Sequence, residues 1–131
     1  MIGYITLGTN DIERARAFYS DVLGELGAKE LMRFELNGFT MYGPDFEQPS
    51  LAVTLPFNGA PHQVGNGQMA GLIMQNRAMV DKMHAKVLSL GGADEGAPGI
   101  RGEEGDMAFY GAYCRDLDGN KLCFFAIGPA S

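Results

Sequence analysis

The sequence holds only two histidines, His62 and His84, and two cysteines, Cys114 and Cys123. So few histidines argue against a histidine-rich metal site and against a His-based catalytic triad. Two cysteines are too few for a disulfide framework, and they read as free thiols in a reducing compartment. No apolar run reaches the roughly 18 residues that a membrane span needs. Met1-Ile2-Gly3-Tyr4 carries neither the basic nor the apolar region of a secretion signal. A cytoplasmic location with no membrane partner is expected. Basic residues are scarce as well: 10 Lys and Arg stand against 16 Asp and Glu, a net charge of −6. Phosphate binding needs clustered Lys and Arg, so nucleic acid is not expected as a partner. The acidic balance favours a cationic or basic aromatic ligand. An ordinary apolar content without sustained heptads excludes coiled coil, collagen and disorder.

Glycine is what the chain has in excess. Its 19 glycines among 131 residues are about twice the usual ~7% share. They are spread along the chain, which points to many turns between short elements. The chain also repeats itself. A shift of 65 residues lays Asp11 over Asn76, Ala15 over Val80, Phe18 over Met83 and Tyr19 over His84. It then lays Val22 over Val87, Leu23 over Leu88 and Gly27 over Gly92. A period this long is no solenoid repeat. Two copies filling 131 residues imply one domain, 1–131, of two modules, 1–60 and 67–131, joined by the breaker-rich linker 56–67.

Each half reads alike. Gly3 to Gly8 is a short strand. Asn10 is positioned to cap the following helix, with Glu13 three residues on. Ile12, Ala15, Tyr19, Val22, Leu23 and Leu26 recur at helical spacing, and Gly24 and Gly27 end the run. Strands follow near 29–36, 39–42 and 50–55, with Asn37-Gly38 as a hairpin signal. In the second half, 68–74 is a strand and Asn76 caps a helix that Gly91-Gly92 stops. A short strand near Ala93 leads to a loop, Gly96 to Asp106, that contains Arg101. Residues 107–115 and 121–127 form the last hairpin. Strand, helix and three strands, twice over, predict an α+β fold.

Three stretches carry a resemblance to a known family. They are Gly3 to Tyr19, with its Asp11-Ile12-Glu13-Arg14 and Phe18-Tyr19; Asn76 to Asp81 leading to Leu90-Gly91-Gly92; and Arg115-Asp116-Leu117-Asp118-Gly119-Asn120. Together they resemble the vicinal oxygen chelate superfamily of glyoxalase I, bleomycin-resistance proteins and extradiol dioxygenases, with Leu117 where the family turn has proline. The resemblance implies two βαβββ modules forming a glyoxalase-like open barrel. In family enzymes a divalent metal sits in its cleft, held by His and Glu at four strand positions, and acts as a Lewis acid.

Here those four positions fall on Tyr4, Thr54, Met69 and Cys123. Hard cations want carboxylates and carbonyls, and zinc wants imidazole, thiolate or carboxylate, so this set suits neither. No cofactor and no divalent metal are expected. With Met41, the same residues make a soft, polarizable surface suited to a hydrophobic or aromatic molecule. Filling of the cavity by these side chains is the bland alternative. Arg101 is a candidate to meet a ligand carboxylate. Tyr110 is a further candidate, since alternation lets only one of Tyr110 and Tyr113 face the cavity. The functional expectation is a metal-free small-molecule-binding protein of the bleomycin-resistance kind, and a homodimer. The alternatives are a metal-dependent glyoxalase-like lyase, isomerase or dioxygenase with an atypical site, and a non-catalytic relic with a filled cavity.

Overall fold

The computed structural model describes residues 1–130. The chain divides into two compact units, Met1–Gly65 and Asn66–Ser131. The first contains β1 (Tyr4–Gly8), α1 (Ile12–Gly24), β2 (Lys29–Arg33), β3 (Thr40–Gly43) and β4 (Ser50–Thr54). The second contains β5 (Ala70–Ile73), α2 (Arg77–Ser89), β6 (Ala93–Arg101), β7 (Phe109–Arg115) and β8 (Lys121–Ile127). The two helices are offset by the same 65 residues that the repeat shows. No described helix is long and apolar enough to cross a membrane.

Within the first unit the strand order is β1-β4-β3-β2. β1 runs parallel to β4, and the remaining pairs are antiparallel. The second unit repeats this arrangement as β5-β8-β7-β6, with β5 parallel to β8. Each helix covers one face of its own sheet. On α1, Ala15, Phe18, Tyr19, Val22 and Leu23 are buried, a stripe at helical spacing. Tyr42 reaches up from β3, and its hydroxyl donates to the Arg16 carbonyl at 3.2 Å. On α2, Val80, Met83, His84 and Val87 are buried, and they face Leu122, Phe124 and Ala126 on β8 and Ala112 and Cys114 on β7. Burying a side chain such as Phe124 stabilises by about 1.5–3 kcal/mol.

The helix starts differ from one another in a way the repeat hides. α2 begins as the sequence predicts: the Asn76 side chain accepts from the Met79 N–H at 2.9 Å. α1 does not start at Asn10. Asp11 is its N-cap, accepting from Arg14 N–H at 3.1 Å. The Asn10 side chain turns away and accepts from the His62 N–H at 2.6 Å, so a long-range partner displaces the local one. Both helices end alike. Ala28 N–H donates to Leu23 C=O at 3.1 Å and Gly92 N–H to Val87 C=O at 3.0 Å. Each bond follows a glycine of positive φ, Gly27 (81°) and Gly91 (98°).

The last strands depart from the expected lengths. The segment expected to be a loop from Gly96 is the second half of β6, a nine-residue strand that ends at Arg101. Two register shifts against β7, between Asp94 and Gly96 and between Gly96 and Gly99, accommodate its extra residues.

Candidate functional site

The face of each sheet away from its helix is the open one, and pairing register assigns side chains to it. In the first unit, Thr40 and Tyr42 bond to α1, so Met41 between them points to the open face. Its partner Ala52 and, by alternation, Thr54, Thr6 and Tyr4 share that face. Met41 is buried and Tyr4 is exposed. The Tyr4 ring meets Phe39 edge-on at 5.6 Å, and Phe39 meets Phe34 at 5.8 Å. Aromatic rings of the same unit thus occupy this face. The Thr54 hydroxyl donates to the Leu55 carbonyl at 2.9 Å.

In the second unit the open face carries Cys123, Phe125 and Ile127 on β8, and Phe109, Gly111 and Tyr113 on β7. Gly71 and Ile73 on β5 continue the rows through Cys123 and Phe125. Met69 lies just before β5 and is half exposed. Arg101, at the end of β6, is exposed and reaches along the strand, with its guanidinium 5.4 Å from the Tyr113 ring centre. Phe109 and Phe125 stack at 5.2 Å and 8° between planes.

Tyr110 is a correction. Its hydroxyl donates to Asp81 on α2 at 2.6 Å, and the Arg77 guanidinium lies 5.0 Å from its ring centre. Tyr110 therefore serves the helix face, its hydroxyl pKa raised by the bond to Asp81. Tyr113 is the tyrosine of the open face, and the aromatic pair Phe109 and Phe125 joins it there. Strand alternation separates the two tyrosines, and the partners on α2 decide which of them faces the helix.

The two cysteines occupy opposite faces. Cys114 pairs with Leu122, and Cys123 with Tyr113. Both are free thiols. Burial, followed by Asp116, pushes the Cys114 thiol up to about 12. Burial also raises Cys123, against the opposing pull of a hydrogen bond with Tyr113 and the charges of Arg101 and Lys121. A thiol raised in this way is not an activated thiolate nucleophile. His84 is buried on α2 with Nε2 2.9 Å from Asp94 Oδ1, which ties helix to sheet. His62 packs on Gly8, and its Nε2 is enclosed without a hydrogen-bond partner.

A hollow lies elsewhere in the first unit. A pocket of about 630 Å³ in the first unit is edged by Thr9, Asn10, Leu36, Asn37, Pro56 and Phe57. Leu36 and Phe57 stand almost wholly in solvent, at 100% and 98% exposure. The side chains of Asn10 and Asn37 are already engaged, with His62 N–H and Phe39 N–H. A gap between loop ends with no converging free polar group makes a poor binding site.

The model of the Glyoxalase/Bleomycin resistance protein/Dioxygenase superfamily matches residues 1–124. The chain belongs to this superfamily. A crystal structure of a glyoxalase/bleomycin resistance protein from Albidiferax ferrireducens T118 is 33% identical, over 96% of this chain and 98% of that one, with a TM-score of 0.80. A glyoxalase/bleomycin resistance protein/dioxygenase family enzyme from Burkholderia phytofirmans PsJN is 19% identical over 95% of this chain and 97% of that one, with a TM-score of 0.72, and shows the shared fold. No curated protein matches the chain. The superfamily's metal does not fit the residues present. The residues expected at its ligand positions are a phenol, a hydroxyl already bonded to a backbone carbonyl, a thioether and a raised thiol, none of them an imidazole or a carboxylate. Among the described residues, no three His, Cys, Asp or Glu side chains gather as a ligand group.

Proposed function

We propose that this protein binds a small hydrophobic or aromatic molecule on the open face of the second sheet and does so without a divalent metal. The observation that carries this reading is the set of soft and aromatic side chains on or beside that face, Met69, Phe109, Tyr113, Cys123 and Phe125. None of these is an imidazole or a carboxylate. The stacked Phe109–Phe125 pair and the half-exposed Met69 supply adaptable apolar contact. A homodimer in the cytoplasm completes the reading. Edge strands β1 and β5 leave Tyr4, Ile5 and Ile73 exposed, apolar surface that a second copy would cover. Light scattering of a dilute sample checks this, and a monomer at every concentration would refute the dimer.

The metal claim is tested on unfused protein purified without chelator. Mass spectrometry for Mg, Mn, Fe, Co, Ni and Zn should find substoichiometric metal, and melts with each ion should show no shift. Ion at 100 times its dissociation constant would add about 2.7 kcal/mol to a native-state site. Stoichiometric metal with a shift of that size would restore the metal-dependent lyase or dioxygenase reading.

A further inference from the structure

The open face of the second sheet carries a charge pattern opposite to that of the whole chain. β6 drops its side chains at Gly96 and Gly99, and Arg101 folds back along the bare track. A Cβ at Gly99 would stand 3.1 Å from one guanidinium nitrogen, and a Cβ at Gly96 would stand 3.3 Å from the other. Nη2 donates to the Ala97 carbonyl at 2.7 Å. The guanidinium is thereby held 5.4 Å from the Tyr113 ring centre, and the Lys121 ammonium lies 5.4 Å from the same centre. Glu95, whose charge Lys121 also feels, is held by Arg115 at 2.7 Å. Glu104 is held by Arg77 at 2.6 Å. Among the described residues no ion pair joins Arg101 or Lys121 to a carboxylate. Two cations outside any ion pair, in a chain of net charge −6, are not a general surface property.

Beside them lies a flat apolar platform. The Phe109 ring overlies Gly111, where a Cβ would meet it at 2.6 Å, and the Phe125 ring approaches Gly71, where the distance would be 3.5 Å. The absent side chains let both rings lie down and stack. The Phe109 ring lies on Gly111, which pairs with Gly99 beside the guanidinium, so cation and platform adjoin. A planar guanidinium with free donors binds an anion by charge-assisted hydrogen bonds, and an aromatic platform takes a ring in offset or edge contact.

We propose that the ligand of this face is a small, flat aromatic anion, with its ring on Phe109 and Phe125 and its anionic group received by Arg101 and Lys121. This rests on the reading that the open face is the ligand site, and it replaces the cationic ligand suggested by total charge. Calorimetry on the full chain with three probes separates the two ideas: 2-naphthoate, neutral 2-naphthamide, and the cation 2-naphthylmethylammonium. Naphthoate should bind roughly tenfold or more tightly than the amide, a step of about 1.4 kcal/mol. The ammonium should bind weakest. Arg101→Gln and Lys121→Gln should erase the preference and leave amide binding in place, whereas Arg101→Lys should retain part of it. Unchanged melting temperatures in these surface variants show that the fold is intact. Equal affinity for the three probes, preference for the cation, or a preference that survives the double Gln variant would overturn the anion inference and leave the ligand site standing. No binding by any probe would overturn both.

Discussion

The Asp116 carboxylate accepts the Asp118 N–H at 2.9 Å, the Asn120 N–H at 2.8 Å and the Asn120 side-chain amide at 2.9 Å. Gly119 beside it sits at φ 87°, a conformation that costs glycine little. The motif that ties this turn to the superfamily therefore builds the β7–β8 hairpin and needs no catalytic role to explain it. Asp116→Ala should cost about 3 kcal/mol, because a buried charged acceptor leaves its donors unsatisfied, and Asp116→Asn should cost less. Urea unfolding reads both, and a loss of a few tenths for the alanine variant would contradict this account. Tyr4, Met69 and Cys123 are candidates because the superfamily resemblance implies ligand positions there, and strand pairing places Tyr4 and Cys123 on the open faces of their own sheets. Tyr110 and Tyr113 are three apart on one strand, so their assignment turned on what α2 offers, and Asp81 and Arg77 claim Tyr110. Arg101 was legible as a candidate anion contact, but not its bed of glycines, because Gly96 and Gly99 read as loop signals.

At the scale of elements, long-range hydrogen bonds decide what local signals leave open. Asn10 and Asp11 are both good helix caps by type. The chain returning through His62 takes Asn10, and Asp11 caps α1. Asp11→Ala should therefore cost about 1 kcal/mol of stability. Asn10→Ala should leave the α1 cap intact and loosen the segment around His62. Amide exchange at Arg14 and His62 tells the two variants apart, and faster exchange at Arg14 in Asn10→Ala would show the capping assignment to be wrong. Arg16 shows the same principle inside the unit. It is buried, donating to Thr40 at 2.8 Å, to the Gly38 carbonyl at 3.1 Å and to Glu13 at 2.6 Å, and it locks α1 onto β3. Helical periodicity placed its neighbours on the core stripe but gave no sign that Arg16 itself is buried. β6 was read short for a related reason. Its glycines and Pro98 weaken strand propensity, and pairing with β7 overrides that weakness.

For the molecule as a whole, the repeat made the architecture readable, since each module carries the same order of apolar periods and glycine stops. Charge is read less well from totals. Arg115 holds Glu95 below its ordinary value, Arg77 holds Glu104 below its own, and the Gly96 N–H followed by His84 lowers Asp94. A carboxylate depressed in the folded state stabilises fully above its unfolded value, and that contribution fades as pH falls through the folded value. Melting temperature should therefore decline below the ordinary glutamate value of 4.5. The combined Arg77→Gln and Arg115→Gln variant should decline less steeply over the same range, and an unchanged slope would show that these pairs carry no linkage. Ligand binding without a metal is tested most directly by calorimetry of 2-naphthoate with protein dialysed against a chelator. Binding of equal affinity before and after chelation is the predicted result. Binding abolished by the chelator and restored by a divalent cation would contradict it.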